Sequence, residues 1–357
     1  MNIEELFDKV RHGEPIEGRD LSGLDLTGAD LSGAVFDRVR MPRAMRGAVV
    51  KESSFSECDF VGADCEGVDL HLTTFYRCEL RGARLTGGQL VGVSVLESVL
   101  DEASLERVSA QVSNIVQCSL VGASLVEANL DRANLIEVHA ERADLSRANL
   151  DRATLYKLDL ATARLDGANL TLTTLVESQL GARGFQGTKL FRTQFMRGGL
   201  AGSSFAGCDA NECNFTGADV SGCDFTDAVL TTALFGEANA KGAKLVRARM
   251  RHAVLERANL AEADLSGADL TEVYAAKASC PGALFVGAKL PYADFSHANV
   301  EGADFSQASM FRMRLHRARK DRARFPLAAG YLGDDEKLAA LEDWKPRHGG
   351  EREATRE

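Results

Sequence analysis

Apolar residues recur at every fifth position over most of this chain. From Val50 to Phe325 the register never breaks, and of the 56 positions in it only Lys320 is not apolar. A second column, two residues earlier, holds small side chains, as in Ala143-Asp144-Leu145. Insertions in the loops of a globular domain would break such a register, whereas stacked repeats must keep it. The pattern therefore predicts an array of short repeats.

The period of five excludes both regular secondary structures as a long element. In a helix, five residues advance by about 500°, so successive apolar side chains would rotate by about 140° and form no stripe. In a straight strand, residues five apart face opposite sides. The chain must therefore bend once in each repeat, which closes a coil around an apolar axis. Backbone groups of successive coils then pair at about 4.8 Å, like strands of a sheet.

The unit Ala-(Asp/Asn)-Leu-x-x resembles the pentapeptide-repeat family over residues 19–325. The resemblance implies an all-β fold, a right-handed four-sided parallel β-helix in which four pentapeptides form each coil. It also implies about 14–15 coils, which gives a rod of roughly 67 Å at about 4.8 Å per coil. An earlier run from Leu21 to Met41 uses another register, and the step from Met41 to Met45 is one residue short. This slip within residues 41–50 indicates either a kink or bulge in the rod or a harmless loop.

Short helices are expected at both ends of the rod, where an open coil edge would invite pairing with another chain. Residues 1–18 carry apolar side chains at helical spacing and predict an N-terminal capping helix. Residues 326–357 predict a helix at 334–344, with Asp334 as N-cap, followed by a polar tail. We expect this helix to plug the last coil with one apolar face, formed by Leu338, Leu341 and Trp344.

One side of the predicted rod carries large residues directly after its inward positions, in seven consecutive coils. We define this strip as Tyr76, Leu96, Val116, Ile136, Tyr156, Val176 and Met196. A flat face favours β-branched and aromatic residues for their strand propensity alone. A contiguous apolar strip also marks interaction sites. Both interpretations stay open, and under the second the strip is a candidate interface for a protein partner or for a second copy of the rod.

Two further features concern charge. A basic end patch is predicted from Arg312, Arg314, Arg317, Arg319, Lys320, Arg322 and Arg324. It is interpreted either as solvation of the last coil or as a site for an acidic partner or phosphate. Arg183 falls in the inward small column, where an unpaired guanidinium would be costly. We expect a local distortion beside Gly181 and Gly184 that swings this side chain outward.

The sequence contains no arrangement typical of an enzyme. The eight cysteines all fall at inward positions, which predicts that they are small core residues. The seven histidines share no metal-ligand spacing. We therefore expect no catalysis, no metal and no cofactor. No segment resembles a signal peptide or a membrane span, which together with buried thiols predicts a cytoplasmic protein without membrane contact. The resemblance to the pentapeptide-repeat family implies a bacterial origin.

The resemblance suggests one alternative function, DNA mimicry by gyrase inhibitors of the quinolone-resistance type. The net charge is −10, yet the rod between the two ends keeps only −4. A duplex of about 70 Å carries roughly 40 charges. The predicted function is therefore a non-catalytic protein-interaction scaffold that does not bind nucleic acid. The segment from Leu338 to Pro346 faintly resembles the tail of pentapeptide proteins associated with type VI secretion, which would suit an adaptor.

Overall fold

The computed structural model describes residues 1–328 and 330–344, and it contains two helices and one nine-stranded sheet in that part of the chain. Helix α1 spans Ile3–Arg11 and helix α2 spans Glu336–Glu342. The strands are β1 Ile16–Glu17, β2 Val35–Asp37, β3 Ser54–Ser56, β4 Thr74–Tyr76, β5 Ser94–Leu96, β6 Asn114–Val116, β7 Asn134–Ile136, β8 Thr154–Tyr156 and β9 Thr174–Val176. All neighbours pair in parallel and in chain order.

Single parallel bridges hold the other three sides of each coil. The first coils pair at Asp20↔Arg40, Asp25↔Ala44 and Asp30↔Val49, beside the strand pair β1–β2. One of these columns runs through fifteen successive bridges from Asp20 to Arg319. Four pairing positions per coil and one coil per step give the parallel β-helix predicted from the period of five. The fold prediction is confirmed.

Most sides of a coil end in a two-residue turn whose second residue adopts a left-handed backbone. Glycine occupies some of these corners, as at Gly167 with φ +67°, but many carry other residues, such as Arg152 with φ +55°. The turn aims the next apolar residue back at the axis, so the inward positions form one continuous core. Phenylalanines stack within it, for example Phe185 on Phe205 with ring centroids 4.4 Å apart.

The one-residue slip falls in the corner between Met41 and Ala44. Pairs that span this corner are 19 residues apart, as in Asp25↔Ala44 and Val35↔Ser54, whereas the coils that follow step by 20 up to the last bridge, Arg314↔Leu332. The hydrogen bonds continue on both sides of the corner. Leu26 N donates to Ala44 O at 2.8 Å, and Met45 N donates to Asp64 O at 3.0 Å. The missing residue is therefore absorbed without a gap in the ladder.

Arg183 stays partly buried, so the outward swing expected for it is wrong. Its Nε donates to Leu180 O at 2.7 Å, and its Nη2 donates to Leu160 O, one coil earlier. Thr193 makes the equivalent pair of bonds, to Leu190 O and Leu170 O, both at 2.7 Å. The guanidinium thus makes the contacts that the Thr193 hydroxyl makes ten residues later, and burial lowers its pKa.

The two helices contact the rod differently. Asn2 caps α1, and Leu6 is fully buried in the core at the first coil. The N-cap of α2 is Asp335 and not Asp334, because the Asp335 carboxylate accepts from Lys337 N and Leu338 N. The expected plug is also wrong, since the predicted apolar face of α2 stays exposed: Leu338 by 42%, Leu341 by 73% and Trp344 by 70%. The polar tail after residue 344 lies outside the described residues.

Candidate functional site

The strip lies on the side of the rod that carries the nine strands. Its first six residues are the last residues of β4 to β9, and Met196 follows one coil after the final strand. All seven side chains are half-buried, because each rests on its neighbours one coil above and below. The strip is thus a continuous row of apolar side chains whose outer surface is partly open to solvent.

Paired charges border the strip on one side. Arg77 contacts Glu97 at 2.8 Å, and Arg197 contacts Glu177 at 2.8 Å, each across one coil. Lys157 lies 3.8 Å from Glu137, and its ammonium also sits 5.0 Å from the ring centre of Tyr156. The alternation of sign therefore neutralises this border within the rod itself. It leaves the aromatic rings of the strip partly screened by cationic side chains.

Hydroxyl and amide side chains border the strip on its other side. Asn134 Nδ2 donates to Asn114 Oδ1 at 2.8 Å, and Asn214 Nδ2 donates to Gln194 Oε1 at 3.0 Å. Such ladders satisfy the polar groups next to an apolar surface. The strip therefore lies between two polar borders whose side chains pair within the rod.

Helix α2 lies against the C-terminal continuation of the same column of residues. That column continues through Ala276 and His316, which are only 6% and 4% exposed. Both line a cavity of about 540 Å³ together with Leu338 and Glu342 of α2. The side of the rod that carries the strip therefore also seats a helix of its own chain.

Polar contacts hold α2 in this seat. The Glu342 carboxylate bridges two histidines, with Oε1 at 3.1 Å from His297 Nε2 and Oε2 at 3.4 Å from His316 Nε2. Asp335 N donates to His316 Nδ1 at 3.0 Å. Arg317 Nη2 donates to Ala339 O at 3.1 Å. Burial alone would raise the pKa of Glu342, but hydrogen bonds from both histidines hold it below its ordinary value.

The residues of the basic end patch do not form one surface. Arg314, Arg319 and Arg324 pair backward with Asp294, Asn299 and Asp304 on three different sides of the rod. Five of the seven lie in ion pairs: Arg314 with Asp294, Arg317 with Glu342 and Asp343, Arg319 and Arg322 with Glu301, and Arg324 with Asp304. Arg312 and Lys320 form no ion pair with any acidic residue in the described part of the chain.

The cysteines occupy the core positions expected for them. All eight are free and buried. Burial raises the pKa of Cys65, Cys213, Cys223 and Cys280 to about 12, since a thiolate is costly in an apolar core. Such thiols are poor nucleophiles and poor metal ligands at neutral pH.

Sequence reasoning missed the grouping of His297 and His316. They are 19 residues apart, which is one position short of a full coil, so the repeat itself places them at the same corner of two successive coils. The position of Glu342 depends on how α2 docks, and no periodicity predicts that. Within residues 1–328 and 330–344, these three are the one group whose ligand atoms lie within 4.8 Å of one another.

Comparison with known proteins gives the family. In the described part of the chain no helix has the length and apolarity needed to span a membrane. The search of curated proteins yields no match. Among solved structures, QnrB1, a plasmid-mediated fluoroquinolone resistance protein, is 18% identical, with 61% of this chain and 89% of that chain covered and a TM-score of 0.34. HetL, from the cyanobacterium Nostoc and involved in heterocyst differentiation regulation, is 25% identical, with 88% and 97% covered and a TM-score of 0.14.

The family pattern described as "Pentapeptide repeats" matches eight stretches of this chain. The matched residues are 20–45, 45–75, 53–90, 113–155, 133–171, 200–231, 233–272 and 268–307, well over half of the sequence. They coincide with the coils of the β-helix. The chain therefore belongs to the pentapeptide-repeat family.

Proposed function

We propose that this protein is a rigid, non-catalytic scaffold that binds a protein partner through the strip. The observation that carries the proposal is the row of seven half-buried apolar side chains inside a frame of satisfied polar groups. Strand propensity accounts for these residue types. The apolar side chains on seven successive coils nevertheless remain partly open to solvent. Contiguous apolar surface with a polar rim is the usual anatomy of a protein interface.

The residues of the strip are suited to anchoring a partner. Tyr76 and Tyr156 combine large apolar area with a polar tip, and aromatic anchors dominate interface energies. Arg77 and Lys157 lie 4.9 Å and 5.0 Å from the centres of these rings and keep them in place. Because the strip is held on a stiff β-helix, a partner pays little ordering entropy on this side of the contact.

DNA mimicry ranks second as a function. Binding to gyrase by mimicry requires a dense negative surface, and here the rod keeps a net charge of only −4. The acidic side chains on the rod are also largely compensated, as in Arg84 with Glu66 and Arg247 with Asp227. A more specific role as an adaptor in a type VI secretion apparatus rests only on the sequence between Leu338 and Pro346.

The test replaces the strip while the core stays untouched. A triple variant with Tyr76→Ser, Ile136→Thr and Tyr156→Thr is expected to keep the fold, because none of these side chains fills the axis. It should lose capture of a specific partner from lysate of the native host, or lose self-association measured by light scattering. Recovery of gyrase with the unaltered rod would favour mimicry, and recovery of secretion components would favour the adaptor.

A matched control removes apolar surface elsewhere on the rod. Val61, Leu72 and Val112 are 48%, 52% and 47% exposed and lie outside the strip. Their joint replacement by Ser should leave the partner contact intact. If the strip variant and the unaltered rod bind the partner equally well, strand propensity alone explains the residues of the strip and this proposal is wrong.

A further inference from the structure

We propose that His297, His316 and Glu342 form a binding site for a divalent transition metal of the Zn²⁺ class. Their ligand atoms, two imidazole nitrogens and one carboxylate, lie within 4.8 Å of one another. The three residues come from two successive coils and from α2. A metal here would link the rod to the helix that rests on it.

The donor set selects the class of metal. Two imidazoles and one carboxylate suit Zn²⁺, Co²⁺ or Ni²⁺, whereas Mg²⁺ and Ca²⁺ favour sites built from oxygen atoms. Three protein ligands leave one tetrahedral position for water, and the cavity of about 540 Å³ beside the site is lined by all three residues. His316 is nearly inaccessible at 4% exposure, whereas His297 and Glu342 reach solvent and give a metal its path of entry.

Acidic side chains offset the positive charge of Arg317 beside the site. Arg317 Nε lies 3.3 Å from Glu342 Oε2 and competes for that oxygen. Its charge is offset by Asp343, which its Nη2 contacts, and by Asp334, which accepts from its backbone N at 2.7 Å. Arg317 therefore retains anionic partners when Glu342 turns to a metal.

Metal binding requires one hydrogen bond to open. Asp335 N donates to His316 Nδ1, so the ring proton of neutral His316 sits on Nε2 and points at Glu342. A metal that takes Nε2 moves this proton to Nδ1, where it faces the Asp335 N–H. The Asp335–His316 contact must then open, and the first turn of α2 must shift. The loss of one such bond is small beside the free energy of coordinating zinc.

Titration of the full chain, free of any affinity tag, with Zn²⁺ tests the site. His348 is replaced by Ala in this background because it lies outside the described residues. We expect one equivalent to bind, the melting temperature to rise, and EDTA to reverse the rise. Co²⁺ should give visible absorption typical of tetrahedral coordination. Hydrogen exchange at the Asp335 amide should accelerate when Zn²⁺ is bound.

The control is the His252–Glu272 pair, in which Nδ1 and Oε2 lie 3.4 Å apart without a second histidine. His297→Ala should weaken Zn²⁺ affinity at least about tenfold, while His252→Ala should leave it unchanged. His297→Gln keeps a hydrogen-bond donor to Glu342. It therefore removes the metal ligand while α2 stays docked on the rod. Absence of one-to-one binding, an unchanged Zn²⁺ affinity in the His297 variants, or an equal loss in His252→Ala would each overturn the site.

Discussion

At the scale of single residues, the small inward column does two tasks, and the sequence shows only one of them. Its alanines make room for the apolar axis, which the spacing predicts. Several of its Ser, Thr and Cys side chains also donate to backbone carbonyls, and Thr193 contacts two of them, one in its own coil and one in the coil before. Residue counting alone assigns Arg183 no partner at this position. The two carbonyls that accept from its guanidinium, Leu180 O and Leu160 O, are brought together only by the folded coils.

Replacement of Arg183 by Thr is expected to stabilise the rod. Thr at this position can make the two bonds that Thr193 makes, without the cost of a partly buried cation. The gain should be about 1 kcal/mol in the free energy of unfolding. Arg183→Ala removes the cation without restoring the bonds and serves as comparison. Thermal unfolding should rank Thr above Ala, and the reverse order would contradict this account.

A charge at an inward position should unfold the rod. Leu150 is fully buried at the axis. Leu150→Asp places an unpaired carboxylate there and is expected to cost more than about 4 kcal/mol, in the range of the most disruptive substitutions. The same change at Leu72, which is 52% exposed with φ +56°, should cost little because Asp tolerates that backbone. Circular dichroism melts of both variants measure the difference.

At the scale of elements, the spacing predicted the coils well and the helix contacts poorly. Period five fixes which side chains face inward, so the strip residues and the strands β4–β9 follow from counting. The seat of α2 does not, because a helix with Leu338, Leu341 and Trp344 on one face suggests an apolar plug. In the structure polar contacts from Glu342, Asp335 and Arg317 hold it on the side of the rod. These pairs link distant parts of the sequence, and no local pattern encodes them.

The turn elements predict a specific response to acid. At Asp30 the carboxylate accepts from Ser32 Oγ at 2.6 Å and from Ser32 N at 3.0 Å, which lowers its pKa. The pKa of Asp25 and that of Asp304 are lowered in the same way by Thr27 and Ser306. Because the folded pKa lies below the unfolded one, this stabilisation is present above the unfolded value of about 4 and is lost as pH falls through the folded values.

The measurement is the free energy of unfolding between about pH 5 and pH 2. Joint replacement of Asp25, Asp30 and Asp304 by Asn should flatten its dependence on pH, because Asn can accept the same bonds without titrating. Lys51→Ala, which removes a neighbouring charge and leaves the turns in place, serves as comparison. An unchanged slope in the Asn variant would show that these turns do not contribute.

At the scale of the whole molecule, the rod has a single core that α1 covers at the first coil, and its thiols should report its integrity. All eight cysteines are buried and free. We expect almost no reaction with an alkylating reagent at pH 8 in the folded protein, and eight thiols per chain after denaturation without reductant. Fast reaction of any thiol in the folded rod would place that cysteine outside the core.

The strip also sets a length scale for whatever it binds. Its rungs repeat at about 4.8 Å, the spacing of paired strands, whereas an α-helix laid along the rod repeats at 5.4 Å. The two periods drift apart by about 0.6 Å per rung, so over the six steps from Tyr76 to Met196 they separate by more than half a rung. A helical partner can therefore stay in phase with only three or four rungs. Only a partner built on the same 4.8 Å repeat can match all seven rungs. The strip therefore selects its partner by repeat distance and favours extended or β-helical partners over helical ones.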